Sequence, residues 1–460
     1  MFDLIENWGS INFLVYLGVL LFVAKLIKEK VPFLNKIILP SALIAGFIGL
    51  ILSDGFLNVI PLGEDGTRNE IIYNIVYHAL AIGFISLTLK RDENKTTKKV
   101  WSTGMIIVST YLLQAIIGAA LVYFFFKNVF LGAGLLLPLG FGQGPGLATS
   151  IGRGYAEGVG QLAQGGALGA TIASIGFLVG GVIGVIALNY LARKHNLQVD
   201  KFHSEKSTIK EKFEMETIKE LRVFDALTIQ VVIIFVIYAF VYGTLVLLET
   251  YLPVLLGDLG ATFAGVFHGF NFLIGILYAL LFRNILGKFE KRGKNVNFLT
   301  NNYILSNISS IAFNFMIVAA VLTITIESIK NYYLLVIVLG IFGTLGTFFF
   351  LKWIAKKVYS NEHEVHYFIG MFGMLTGTAS TGLALLKGVD SDFKSPVAEE
   401  MVVGSGTAIS LALPLFALLT FPGLAIENGN EIFNYLVLIV PLVYGLFLVG
   451  LILFINRKKA

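Results

Sequence analysis

Leu139-Gly-Phe-Gly-Gln-Gly-Pro-Gly-Leu-Ala148 puts four glycines and a proline into ten residues of an otherwise apolar segment. A second interruption, Leu375-Thr-Gly-Thr-Ala-Ser-Thr-Gly-Leu-Ala384, lies in the other half of the chain. Gly-Leu-Ala closes both, at 146–148 and 382–384, a shift of 382 − 146 = 236 residues. Backbone that cannot stay helical is tolerated at membrane depth only where protein buries it or where it lines a cavity. Paired interruptions at matching places in two halves therefore point to a binding site at a repeat interface.

The composition agrees. Of 460 residues, 56% are hydrophobic and only 14% charged, against about 25% charged in a soluble domain. The net charge of +5 is small, and the Lys and Arg lie in short loops. That pattern sets membrane orientation and gives no reason to invoke nucleic acid. The absence of cysteine excludes disulfides, thiolate metal sites and thiol redox chemistry. Six scattered histidines form no metal motif, and no GxxxxGK[ST] loop supports nucleotide-driven transport. Asp3 and Glu6 precede the first apolar run and a basic cluster follows it, the reverse of a signal peptide, so residues 11–27 read as a retained first helix.

Apolar runs long enough to span a bilayer fall at 11–27, 37–53, 70–89, 103–126, 167–191, 223–248, 253–281, 303–326, 332–355, 401–421 and 432–455. Two further stretches, 129–152 and 367–388, contain the glycine-rich breaks. Residues 131–141 make about 16 Å of helix and 367–375 about 14 Å, each near half a bilayer. Re-entrant hairpins with tips near the midplane fit those lengths.

Loop charge tests that reading. Basic residues crowd the connections after the first and third runs, the loop at 193–222 with eight Lys/Arg, and Arg283 to Lys294 with five. All basic loops share one side only if each broken segment enters and leaves by the same face. The expected fold is an all-α polytopic membrane protein of two inverted repeats. Each has five transmembrane helices and one re-entrant hairpin, and an extra C-terminal transmembrane helix follows. The first repeat spans 1–192 (hairpin about 129–152) and the second 223–421 (hairpin about 367–388). Residues 193–222 form a cytoplasmic connector, and 432–455 the extra helix. The N-terminus lies outside and the C-terminus inside the cytoplasmic (inner) membrane.

Further echoes support the repeat. Gly169-Ala-Thr-Ile-Ala-Ser174 resembles Gly406-Thr-Ala-Ile-Ser410, and Leu39-Pro40 and Leu252-Pro253 each open a second helix.

The first tip, Gly142, Gln143, Gly144, Pro145 and Gly146, lets backbone approach a ligand closely. Thr149 and Ser150 begin a half-helix whose amides and positive dipole end suit an anionic group. The second tip adds the hydroxyls of Thr376, Thr378, Ser380 and Thr381 around Gly377. Hydroxyl and freed carbonyl oxygens suit a hard cation such as Na⁺, for which Thr376 and Gly377 are the candidates here; Thr378, Ser380 and Thr381 are expected, with the first tip, to contact the substrate. Close helix packing through small residues is the competing explanation. Asn74 and His78 share one face of their helix, as do Asn307, Ser310 and Asn314; these stripes hold a cation or an amine, or simply join helices. Arg153 pairs with a substrate carboxylate or snorkels. His268, near the centre of its helix, and Gln114 read as interhelical contacts, and Glu399 and Glu400 as acidic residues at a cytoplasmic helix start.

These residues resemble the bacterial sodium/glutamate symporter family over about 1–421. Val31-Pro-Phe-Leu-Asn-Lys-Ile-Ile-Leu-Pro40 looks like the family's entry to its second helix, and Gly142-Gln143-Gly144-Pro145-Gly146 is similar to its Gly-His-Gly-Thr-Gly run. Gly377, Thr381 and Ala384 match the Gly-Ala-Thr-Pro-Thr-Ala-Ile-Ala pattern of its second hairpin. Gln143, Pro145 and Ser380 stand where the family has histidine, threonine and proline, and the helix at 432–455 is additional. The resemblance implies Na⁺-coupled uptake of L-glutamate or a related small carboxylate by a homodimer with an elevator-like movement. It implies no cofactor beyond the coupling ion. A passive channel or exchanger for a small anion, a symporter for another organic acid, and a membrane enzyme or assembly factor are the rival classes; no nucleophile–base pair or metal set favours the enzyme.

Overall fold

Every apolar run read from the sequence contains helix in the computed structural model. The structure describes residues 9–457 except 32–38, 54–55, 61–64, 91–97, 158–159, 196, 198–220, 257–263, 265–266, 269–270, 295, 297–298, 360–362 and 391–394. Most of the 193–222 connector and the side chain of Ser380 lie outside the described residues. The described residues form helices and no strand: α1 Gly9–Lys30, α2 Ser41–Leu52, α3 Asp65–Leu89 and α4 Lys98–Phe125, then hairpin 1, built from α5 Gly132–Pro138 and α6 Pro145–Glu157. There follow α7 Gly165–Leu178, α8 Gly184–Lys194, α9 Leu221–Leu256, α10 Asn271–Lys291, α11 Asn302–Leu322 and α12 Ile326–Val358. Hairpin 2 is α13 Glu364–Thr376 and α14 Ala379–Lys387; α15 Val397–Leu411, α16 Leu413–Leu418, α17 Phe421–Glu427 and α18 Ile432–Ile455 complete the chain.

Among the described residues nine helices are long and apolar enough to cross a membrane, α7 and α8 counting as one. The protein is a polytopic helical membrane protein. The span read at 401–421 is bent by 50° between α15 and the α16–α17 pair. Pro414 and Pro422 sit in the first turns of α16 and α17, where a missing N–H is harmless but the preceding helix cannot run on.

One expectation is corrected. Over the run at 253–281, α9 continues to Leu256, Ala264, Phe267 and His268 are helical, and α10 covers Asn271–Lys291, the residues between lying outside the described ones. Leu252-Pro253 accordingly opens nothing, because Pro253 lies within α9, near its end. Pro40 does precede α2 as expected.

Local chemistry fixes several ends. Asn301 caps α11 by accepting from the Ile304 amide at 3.1 Å. Thr325 and Ser328 form a reciprocal capping box at the start of α12.

The helices pack in two groups. In one, α3 lies along α11, α10 packs on α3, α2 on α11, α1 on α2 and α9 on α10. In the other, α4 contacts α5, α12, α15 and α18, while α7 contacts hairpin 1 and α12. Hairpin 1 bridges the groups, since α6 also packs on α3 and α11. Its flanks are backbone against backbone: a Cβ at Gly118 of α4 would overlap the Gly134 carbonyl, and one at Gly169 of α7 the Ala148 carbonyl. Small residues permit this approach.

Candidate functional site

Each hairpin is a helix that stops, turns and restarts. Hairpin 1 passes from α5 through a wide π-type turn, Leu139–Gln143, to Gly144, whose φ of +86° favours glycine. α6 then begins at Pro145, four residues before the expected start at Thr149. Proline with its fixed φ is well suited to that first position. In hairpin 2 the arm ends at Thr376, Gly377 and Thr378 are non-helical, and α14 begins at Ala379.

The two tips adjoin. A Cβ at Gly144 would stand 3.7 Å from the Thr378 methyl, and α13 packs against the 139–143 turn. The Ala148 amide bonds back to the Gly144 carbonyl at 3.4 Å, and the Gly382 amide to the Thr378 carbonyl at 3.0 Å. The amides of Gly146 and Leu147, and those of Ala379 to Thr381, precede these bonds and belong to the donor-rich helix ends. Two positive dipole ends thus meet in one place. Gly142, Gln143 and Thr378 are half-buried there and Ala379 is exposed, while Gly144, Pro145, Gly146 and Thr149 are buried.

Oxygen donors surround the same point. The Thr378 and Thr381 hydroxyls are 3.4 Å apart. The Thr376 hydroxyl donates to the Phe372 carbonyl at 2.7 Å, so its second lone pair stays available. The Thr149 hydroxyl is fully buried and makes no hydrogen bond among the described residues. Positive dipole ends suit a carboxylate, and freed hydroxyl and carbonyl oxygens suit a hard cation.

Other expected residues sit apart from this point. Asn307 and Ser310 are exposed and Asn314 half-buried on α11, whereas Met316 of the same helix fills the space beside Gly146. At about 100° per residue the stripe lies on the far side of α11 from Met316. Asn74 and His78 are exposed on α3, and the His78 Nδ1 shares a hydrogen with the Tyr238 hydroxyl of α9 at 2.5 Å. His268 is helical, just ahead of α10, and its carbonyl accepts from the Tyr77 hydroxyl at 2.9 Å. Arg153 is engaged by Glu157, one turn on, at 2.8 Å, and its guanidinium covers the Tyr73 ring of α3 at 4.7 Å.

Three supports went unread or underread in the sequence. Tyr111 and Gln114, neighbours on one face of α4, secure the two arms that run into the tips. The Tyr111 hydroxyl donates to the Gly142 carbonyl at 3.1 Å, and the Gln114 amide donates to the Leu375 carbonyl and to Thr347 of α12, both at 2.9 Å. The third is the run Gly176, Gly180 and Gly184. A Cβ at Gly180 would meet the Thr376 hydroxyl at 3.0 Å and the Thr381 methyl at 3.2 Å, and one at Gly184 would meet Leu385 at 2.6 Å. Their four-residue spacing is a legible signal for a closely packed helix face, and hairpin 2 is seated on it.

No family model matches the chain, and no curated protein matches it either.

Proposed function

We propose that the protein is a secondary active transporter, a Na⁺-coupled symporter of a small carboxylate, L-glutamate being the substrate that the family resemblance implies. The observation that carries this reading is the meeting of two half-helix N-termini with threonine hydroxyls around them. The amides of α6 and α14 hold the carboxylate oxygens. Hydroxyls of Thr376, Thr378 and Thr381, with freed carbonyls, hold the ion, and Gln143 at the open edge contacts the rest of the substrate.

The inverted repeat belongs to the same proposal, and reciprocal packing supports it. Pairing α1 with α9, α2 with α10, α3 with α11 and α4 with α12 makes the neighbours correspond: α2 packs on α11 as α10 does on α3, and α1 on α2 as α9 does on α10. Likewise α4 packs on α15 as α12 does on α7. In the elevator-like cycle of a homodimer, the hairpin group moves against the α1–α3 and α9–α11 group.

Purified protein in vesicles, offered a panel of acidic amino acids and dicarboxylates, tests the reading. Labelled substrate should accumulate above its equilibrium level only under an inward Na⁺ gradient. Equilibration without accumulation would make it a passive pore. Thr381→Val and Gly144→Leu should each lower uptake at least tenfold (about 1.4 kcal/mol or more) while the protein still reaches the membrane; wild-type uptake in both would defeat the assignment of the tips.

A further inference from the structure

The first turn of α15 holds a carboxyl with no part in the hairpin site. Glu399 and Glu400 read alike in sequence, yet Glu399 is exposed while Glu400 is only 8% exposed. The Glu400 carboxyl accepts a hydrogen bond from the Tyr367 hydroxyl of α13. Tyr367, fully buried, stacks on Tyr359 just beyond α12. The Tyr359 hydroxyl shares a hydrogen with Thr103 of α4 at 2.8 Å. One polar line therefore joins α15, the entry arm of hairpin 2, the end of α12 and the start of α4.

No ammonium or guanidinium lies within ion-pair distance of Glu400 among the described residues. From α4, Lys99 stands within electrostatic reach, its ammonium 5.8 Å from the centre of the Tyr359 ring. Tyr359 follows the last turn of α12, which carries the exposed Lys356 and Lys357. α13 carries Tyr367, with His363 at its N-cap and Glu364 and His366 in its first turn; α14 carries Lys387 in its last turn, and α16 carries no titratable group. An enclosed carboxylate served by one hydroxyl is expensive to keep charged. Ionisable groups inside membrane proteins mark ion and proton pathways by default. An amide would meet the needs of static packing equally well; only a carboxyl can also give up a proton.

We propose that Glu400 is a proton-binding site coupled to hairpin 2. The proton occupies the carboxyl while α13 and α15 pack as they do here, and its release to the cytoplasmic side lets water in and loosens the contact. Glu400–H dissociates to carboxylate and a solvated proton, with no other bond made or broken. This rests on the transporter reading for its consequence, that transport responds to internal pH, but not for the site itself.

Glu400→Gln keeps the shape and removes the titration. The chain has no cysteine, so Ala379→Cys at the exposed tip gives one reporter of hairpin 2. Its maleimide labelling rate, divided by the rate in the same variant carrying Glu400→Gln, cancels the thiol's own ionisation. That ratio should rise several-fold from about pH 6 to about pH 8; a constant ratio would overturn the proposal. In vesicles at fixed Na⁺ gradient and external pH, wild-type uptake should vary with internal pH and Glu400→Gln uptake should not; identical profiles would also overturn it. If Glu400→Gln does not fold, Tyr367→Phe, which keeps the stacked ring, should shift the midpoint of the labelling profile, and an unshifted midpoint counts against the site. A rising ratio in a protein that accumulates no substrate would leave the proton site standing and remove the symport reading. A flat ratio in an active symporter would do the opposite.

Discussion

Hairpin 1 is enclosed by peptide backbone on both flanks, and hairpin 2 mostly by side chains. Gly134 lies against Gly118 of α4, Ala148 against Gly169 of α7, and Gly152 against Gly165. Pro145 to Gly152 are buried without interruption, and the Tyr155 hydroxyl ties the outer end of α6 to the Leu419 carbonyl at 2.8 Å. Hairpin 2 rests instead on Phe348 of α12, whose ring centre is 5.0 Å from that of Phe368 and 5.7 Å from that of Phe372. Met401 of α15 fills the hollow at Gly370, and α14 keeps an exposed residue at its start. Backbone contacts cannot yield without moving a whole helix, whereas side chains change rotamer. On the transporter reading proposed above, the difference would make hairpin 1 the stiffer half of the site within its group and hairpin 2 the half able to open.

The largest effect should therefore fall on the glycines that flank hairpin 1. Gly118→Leu would drive a side chain into the Gly134 carbonyl, and we expect it to destabilise by about 3 kcal/mol or more, seen as loss of monodisperse protein in detergent. Gly180→Ala, under hairpin 2, meets the Thr376 hydroxyl at 3.0 Å and a methyl at 3.2 Å. Those atoms can give way, so about 1 kcal/mol is expected. Equal losses at the two sites would erase the contrast between the hairpins.

How much of this could be read in advance depended on the kind of signal. Hydropathy placed the α3, α4, α11 and α18 spans within a few residues; the break at 142–146 takes in the end of the 139–143 turn and the start of α6, and that at 376–382 the end of α13 and the start of α14. Composition failed where helix breaking mattered more than apolarity, as at the bend between α15 and α16. It also could not separate Glu399 from Glu400, because burial of one member of an adjacent pair depends on which neighbours reach that side of the helix. The tip residues were legible because glycine and proline act locally. Their supports were not: Gln114 meets its partners 233 and 261 residues away.

A smaller and sharper comparison lies in α4, which serves both hairpins. Gln114→Leu leaves the Leu375 carbonyl in an apolar setting and removes the bond to Thr347; about 1–3 kcal/mol should be lost. Tyr111→Phe removes a single bond to the Gly142 carbonyl, and about 0.6 kcal/mol is the expected scale for a membrane hydrogen bond. Thermal unfolding in detergent ranks the two, and hydrogen exchange should put the Gln114→Leu change in hairpin 2. Faster exchange in hairpin 1 instead would reverse the roles given to the two arms.

Arg153→Gln should matter least, although Arg153 is the one cation in hairpin 1 and the natural partner for a substrate carboxylate. By chain position it is eight residues beyond Pro145, about 12 Å of helix away from the tip. Its guanidinium already holds the Glu157 carboxylate and covers Tyr73. Glu157 is largely exposed, at 61%, and exposed pairs of this spacing contribute roughly 0.3–0.5 kcal/mol. The cation–π contact adds about 0.5–1 kcal/mol at such a site. Arg153→Gln should therefore change uptake less than about threefold, equivalent to about 0.65 kcal/mol, and leave the substrate's KM unaltered. A KM raised tenfold or more with intact expression would mean that Arg153 leaves Glu157 to take the carboxylate. Hairpin 1 would then be a moving part of the site, and the contrast with hairpin 2 would have to be redrawn.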